Sequence, residues 1–277
     1  MVHEIVSLKD EYGLKFGKIE CLCLDLPFDK PNPAWKRPAV IVVPGGAYQV
    51  VGKREGMPVA SAFLARGFQA FVLEYSTVEN DGRYPDQLVQ LGCAVDYVKK
   101  NAERFHVNAD EVFVVGFSAG GHLTANLGVE YASVSKYLGR EVDAKPTAIG
   151  LGYPVITAKT KYCASHENLL KGYSEEERQA LLARLNLDEA VTAETAPSFV
   201  WTTATDTLVP AENAMLFALA CARNGVPYEL HVYPSGRHGC GTFDYEVNVG
   251  EFPAWQQNRT WVDSCATFFR SFCEEKY

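Results

Sequence analysis

The chain has 277 residues, 47% of them hydrophobic and 22% charged, and Asp and Glu outnumber Lys and Arg by 34 to 26, for a net charge of −8. That length and apolar content can bury a large core and are compatible with a single α/β domain over residues 1–277. The negative balance argues against nucleic acid or an anionic membrane as partner, since both need clustered Lys and Arg. No apolar run is long enough to span a bilayer, and the first residues are polar with no secretory h-region. The expected location is therefore cytoplasmic. The eight cysteines are expected to be reduced, because a core of this size needs no staples. Cys21 and Cys23 lie two apart in one strand, and Cys93, Cys221, Cys265 and Cys273 fall in predicted helices as small hydrophobes. No Cys and His spacing resembles a zinc site, so no metal and no cofactor is expected.

In chain order, residues near 4–8 and 14–25 read as antiparallel strands. Arg37-Pro38-Ala39-Val40-Ile41-Val42-Val43 reads as a buried strand and ends in Pro44-Gly45-Gly46-Ala47-Tyr48. A helix over 57–67 and a strand over 68–75 follow. The next helix runs from Asp86 to about Arg104, with Leu88, Leu91, Val95 and Val98 on one face. Asn108-Ala109-Asp110 reads as a turn into a buried strand that leads through Gly116-Phe117-Ser118-Ala119-Gly120 to another helix. Residues 147–152 form a short strand, and 156–195 are polar and helix-prone, with Ser174-Glu175-Glu176-Glu177 marking a helix start. An insertion there is either a partial lid or a surface excursion without a role. Strands over 198–204 and 228–234 and a closing amphipathic helix over 253–277 complete the chain. Strands alternating with helices imply a largely parallel central sheet with helices on both faces.

The chemistry concentrates at Ser118. A strand entering Gly116-x-Ser118-x-Gly120 and then a helix has the form of a nucleophile elbow, with the serine at the tip of a strained turn. A serine hydroxyl needs an imidazole to take its proton and a carboxylate to orient that imidazole. Asp206 stands in the turn after the 198–204 strand, and His238 in the loop Ser235-Gly236-Arg237-His238-Gly239. Ser118 and Asp206 would also serve as ordinary capping residues. Among the other histidines, His231 alternates with apolar residues as a core position, and His122 lies along the first helical turn in a supporting position. His3 and His106 are far from any motif, and His166 falls in the lid segment. Cys240, two residues beyond His238, is near the site, but no elbow presents it as a nucleophile. The glycines after the 37–43 strand allow the backbone N–H groups of Gly46 and Ala47 to join that of Ala119 in an oxyanion hole, or they form a plain glycine turn.

Together these segments resemble the bacterial α/β-hydrolase esterases near the acetyl xylan esterases and the hormone-sensitive-lipase group, over almost the whole chain. The resemblance rests on Pro44-Gly45-Gly46-Ala47-Tyr48, Arg54-Glu55-x-x-Pro58, Gly116-Phe117-Ser118-Ala119-Gly120-Gly121-His122-Leu123, Gly152-Tyr153-Pro154, Asn168-Leu169-Leu170, Ala204-x-Asp206-x-x-Val209-Pro210 and Gly236-x-His238-Gly239. It implies an α/β-hydrolase fold and hydrolysis of small esters, often acetyl groups on carbohydrate. Ala47 departs from the further glycine of many relatives, and Pro44 from the histidine of lipase-like ones. The reading is a serine esterase with catalytic Ser118, Asp206 and His238, an oxyanion hole from Gly46, Ala47 and Ala119, and Tyr48, Tyr153 and Arg237 touching a small-molecule ester. An arylformamidase-like amidase of the same fold and a non-catalytic binding module are the alternatives, and a homo-oligomer stays open.

Overall fold

Residues 39–43 and 112–117 of the two central strands form unbroken runs without a polar side chain, which suits burial on both faces of a sheet. Side chains alternate across the pleat, so Ala39, Ile41 and Val43 join one core while Val40 and Val42 join the other. The nucleophile strand divides likewise, with Val112 and Val114 on the first side and Phe113, Val115 and Phe117 on the second.

The computed structural model describes residues 2–25, 35–160, 164–248 and 252–274. Among these, β1 (Val2–Ser7), β2 (Lys18–Cys23), β3 (Arg37–Val43), β4 (Gln69–Glu74), β5 (Val107–Phe117), β6 (Ile149–Gly152), β7 (Ser198–Thr203) and β8 (Tyr228–Tyr233) form one sheet. Their order is β1-β2-β4-β3-β5-β6-β7-β8. Only β2 runs against its neighbours, pairing antiparallel with β1 and β4; all other pairs are parallel.

The helices are α1 (Leu8–Tyr12), α2 (Met57–Leu64), α3 (Asp86–Lys100), α4 (Ala102–Phe105), α5 (Ala119–Glu130), α6 (Val134–Leu138), α7 (Ala164–Leu169), α8 (Glu175–Leu185), α9 (Leu187–Ala190), α10 (Glu212–Arg223) and α11 (Thr260–Arg270). Apolar faces of α3, α5 and α10 fill the first core, and those of α2 and α11 the second. Among the described residues no helix is long and apolar enough to cross a membrane.

Four local expectations are corrected. The N-terminal strands are shorter, because α1 intervenes; Ser7 Oγ accepts the Asp10 N–H, and Gly13 at φ 74° ends the helix. The helix expected to reach Arg104 breaks at Asn101 (φ −103°, ψ 17°) into α3 and α4. The turn expected at 108–110 lies within β5, where pairing jumps from Arg37 opposite Val107 to Ala39 opposite Val112, so the intervening residues bulge out of the ladder. The closing helix is a kinked 3₁₀ stretch, Phe252–Arg259, followed by α11, and residues 275–277 lie outside the described residues.

Between β6 and β7 the chain forms α7, α8 and α9. Ser174 starts α8 as the sequence predicts, with reciprocal bonds between its hydroxyl and N–H and Glu177. Asn213 on α10 accepts the N–H groups of Ile156 and Thr157 through its Oδ1, and Leu187 N–H returns to the Ile156 carbonyl. These bonds tie the foot of the segment to the body of the fold.

Candidate active site

The turn from β5 to α5 is built around a backbone strain. Ser118 has φ 53° and ψ −118°, a conformation costing a non-glycine residue about 1–3 kcal/mol. Its neighbours leave room for no side chains: a Cβ on Gly116 would stand 2.2 Å from Thr124 Oγ1, and one on Gly120 2.2 Å from the Val43 carbonyl oxygen. The glycine spacing therefore follows from close packing of the turn on β3 and on its own helix. Ser118 donates its N–H to Gly152 (3.0 Å) and its carbonyl accepts from His122 (3.0 Å) and Val155 (3.1 Å), which clamps the tip against the end of β6.

Three side chains from three strand ends converge there. His238 Nε2 lies 2.7 Å from Ser118 Oγ, and His238 Nδ1 lies 2.7 Å from Asp206 Oδ2. A carboxylate only accepts, so Nδ1–H donates to Asp206 and Nε2 is left to accept the Ser118 hydroxyl. The second Asp206 oxygen accepts the N–H groups of Leu208 and Val209, each at 2.9 Å. The base loop is pinned to the end of β7, where Thr203 and Thr205 hydroxyls donate to the Gly236 carbonyl. Ser118 retains 8% exposure.

The loop after β3 faces this relay. Gly46 (φ 128°), Ala47 (φ 54°) and Tyr48 (φ 56°) form a left-handed run, and the site needs glycine at 46, where a Cβ would meet the Val50 carbonyl at 2.1 Å. Glu55 Oε2 accepts the Gly45 N–H (2.7 Å), and Asn168 on α7 donates to the Ala47 carbonyl (2.9 Å). Tyr48 Oη lies 2.9 Å from His122 Nδ1. Ala119 opens α5, so its N–H has no acceptor within the helix.

The remaining candidates divide clearly. His122 is wedged between Tyr48 and the Leu185 carbonyl (3.2 Å from Nε2), and burial, with His166 beside it, pushes its pKa down to about 3. It is a neutral, structural ring. His166 packs edge-on against it at 5.6 Å between centroids, and burial lowers its pKa to about 4. His231, expected in the core, is instead half-buried on the edge strand β8, with Nε2 2.6 Å from Glu229 Oε1. The side chains expected to touch substrate are engaged by protein. Tyr48 and Tyr153 are each 1% exposed, and Arg237 donates to the His238 carbonyl and to Asn248 Oδ1. Among the described residues no group of three or more His, Cys, Asp or Glu could hold a metal ion.

A family model described as BD-FAE matches residues 24–220. The chain belongs to the BD-FAE family. Its sheet order and elbow are those of an α/β-hydrolase. This BD-FAE chain is 32% identical over 214 residues to endo-1,4-beta-xylanase B of Butyrivibrio fibrisolvens, covering 75% of the chain and 33% of that protein. It is 29% identical over 234 residues to the acetylxylan esterase of Xylanibacter ruminicola, covering 81% and 44%. The BD-FAE chain thus spans less than half the length of these curated relatives. The acetyl ester-xyloside bifunctional hydrolase of Caldicellulosiruptor lactoaceticus superposes with a TM-score of 0.81 at 28% identity, over 97% of this chain and 96% of that one.

Two polar anchors of the BD-FAE site escape sequence reasoning. Asn168 and Glu55 both lie in segments that carry the family resemblance, yet nothing in their spacing says what they hold. Their partners, Ala47 and Gly45, are 121 and 10 residues away in sequence.

Proposed function

We propose that this chain is a serine esterase that removes short acyl groups, acetyl above all, from carbohydrate through an acyl-enzyme. The observation that carries the reading is the relay of two 2.7 Å contacts, Ser118 to His238 and His238 to Asp206, at the tip of the elbow. In this mechanism His238 Nε2 takes the Ser118 proton as Oγ attacks the ester carbonyl. The carbonyl electrons move to oxygen, where the N–H groups of Gly46, Ala47 and Ala119 meet the developing charge. Asp206 stabilises the imidazolium, which then gives its proton to the departing alcohol. Water repeats the cycle and releases the acid.

The acetyl and carbohydrate parts of the reading draw on the relatives, one named as an acetylxylan esterase and one structure as an acetyl ester-xyloside hydrolase. The left-handed Ala47 adds a methyl group where a glycine would leave space, and this favours a short acyl group. Residues 1–277 form one domain in this reading, and 156–195 act as its cap, since Asn168 reaches the Ala47 carbonyl. The enzyme works as a cytoplasmic protein with reduced cysteines.

A panel of nitrophenyl acetate, butyrate and octanoate, acetylated xylo-oligosaccharides and N-formylated amines tests the reading. The expected order is acetyl over butyryl over octanoyl, by about tenfold or more in kcat/KM per misfit step, with acetate released from the oligosaccharides. Rates rising toward octanoyl would point to a lipase-like pocket. Faster turnover of the formylated amines would point to an amidase.

A further inference from the structure

The loop that would bind the oxyanion and the loop that carries His238 are joined by a short chain of buried hydrogen bonds through Glu55 and Tyr153, outside the Ser118–His238–Asp206 relay. Glu55 is buried. Its Oε2 accepts the Gly45 N–H at 2.7 Å, and its Oε1 accepts the Tyr153 hydroxyl at 2.5 Å. The Tyr153 oxygen in turn accepts the Gly241 N–H at 3.0 Å, three residues beyond His238. The Tyr153 ring stands edge-on to His238, with centroids 4.9 Å apart, and edge-on to Trp201 at 4.9 Å. The tyrosine is fixed by its backbone too: it has φ 35° and donates its N–H to the Trp201 carbonyl at 2.7 Å.

The proton inventory fixes the character of Glu55. With the Gly241 N–H donating to the phenol oxygen, the phenol proton goes to Glu55, and the Gly45 N–H can only donate. Both carboxyl oxygens then receive, which is the pattern of a carboxylate. Among the described residues no cation pairs with it within salt-bridge distance, so the charge is buried against two hydrogen bonds alone. Burial pushes its pKa above the ordinary carboxylate value, while Tyr153, Gly45 and the charges of His238 and Arg54 oppose that. An uncompensated buried charge is costly, but a neutral glutamine offers a single acceptor to the two donors, the Gly45 N–H and the Tyr153 hydroxyl. The cost of the charge is offset further where positive charge appears nearby. During acylation that place is His238, whose ring packs against Tyr153 at 4.9 Å between centroids.

We propose that Glu55 is a positioning residue for the reaction: through Gly45 and Tyr153 it holds the oxyanion loop and the His238 imidazole in one frame, and its negative charge favours the imidazolium that forms when Ser118 gives up its proton. Glu55 neither takes nor gives a proton. The proposal rests on the serine-esterase reading. The titratable and charged groups facing Glu55 are Tyr153 after β6, Tyr75 after β4, Arg54 in its own turn and His238. Those around His238 are Asp206, Ser118, Tyr153, Arg237 and Glu55 itself, with the Cys240 thiol on the Arg237 carbonyl.

Glu55→Gln keeps the shape, removes the charge and leaves one of the two donors without an acceptor, whereas Glu55→Asp keeps the charge and shortens the reach. With nitrophenyl acetate, Glu55→Gln is expected to lower kcat by about tenfold to a hundredfold, to leave KM within about twofold, and to move the acidic limb of the kcat/KM profile to lower pH. Glu55→Asp is expected to lower kcat similarly without moving that limb. A Glu55→Gln enzyme with wild-type kcat and an unmoved limb overturns the proposal, as does a fall in kcat with the same limb in both variants, which a merely structural side chain would give. A readout without turnover separates this from the esterase reading. In Ser118→Ala protein, the NMR titration of the His238 ring should shift to lower pH when Glu55 is also replaced by Gln. A shift with no esterase activity in the wild type would refute the function and leave the Glu55–His238 coupling standing; no shift in an active enzyme would do the reverse.

Discussion

At Ser118 the strained φ holds the hydroxyl against His238 Nε2, and alanine can occupy the same conformation with the same packing. Ser118→Ala is therefore expected to fold normally and to lose about 10⁶ in kcat; a variant keeping a tenth of wild-type turnover would refute the nucleophile. Asp206→Asn leaves an amide where His238 Nδ1–H needs an acceptor, and the expected fall is about 10⁴ in kcat, whereas His122→Ala should remain active. His122 and His166 carry a separate prediction about acid stability. Both are held neutral by burial, with pKa values lowered to about 3 and about 4 from 6.5. As pH drops below 6.5 the unfolded chain binds protons that the native protein refuses, so their contribution is fully present above 6.5 and is lost as pH falls toward those lowered values. By pH 5 the loss is about 2 kcal/mol for each ring. Urea denaturation at pH 7 and pH 5 should show a smaller pH-dependent loss in His166→Gln than in wild type, and an equal loss would show that the ring is not held neutral.

At the scale of the element, the elbow is specified by contacts to backbone atoms that cannot retreat. Gly120→Ala sets a Cβ 2.2 Å from the Val43 carbonyl oxygen and 2.4 Å from that of Pro44, and is expected to cost about 3 kcal/mol or more. Gly139→Ala provides the contrast. That glycine ends α6 at φ 77° with no atom within 4 Å of an added Cβ, so only the left-handed backbone opposes it, at about 1 kcal/mol. Denaturant midpoints of the two variants should separate in that order. The cap segment has its own test in Asn168, whose side-chain amide donates to the Ala47 carbonyl. Asn168→Ala should lower kcat/KM for nitrophenyl acetate by about tenfold by loosening the oxyanion loop, with a thermal midpoint close to wild type. An unchanged rate would detach α7 from the chemistry.

For the whole molecule, a sheet packed on both faces leaves the seven cysteines among the described residues buried. Cys21, Cys23, Cys93, Cys221, Cys240, Cys265 and Cys273 are all buried thiols, and burial pushes Cys221 up to about 11 and Cys23, Cys93 and Cys273 up to about 12. The thiolate is the reactive form. Reaction with an aromatic disulfide reagent at pH 8 should therefore be slow at these sites until denaturant is added, and reducing agent should leave the thermal midpoint unchanged. A stoichiometric disulfide found by non-reducing peptide mapping would overturn this and, with it, the expectation of a reducing compartment.

Much of this protein was legible in its sequence because the relevant physics is local. Continuous apolar runs mark the central strands, Gly116 and Gly120 mark a turn that no side chain could fit, and Ser174 with Glu177 closes a capping box within four residues. The chain order of Ser118, Asp206 and His238 was readable for the same reason, since each stands at the end of its own strand. The bulge at 108–111 was not, because it depends on how the ladder of β3 and β5 registers; α1 and the break at Asn101 turn on one-residue choices of backbone angle that hydrophobic periodicity does not report. The polar anchors were beyond reach for a further reason. Whether Tyr153 faces substrate or a buried carboxylate, and whether Glu55 is a surface charge or the link between two loops, depends on which strand ends the sheet order brings together, and that order is set by packing across the whole fold.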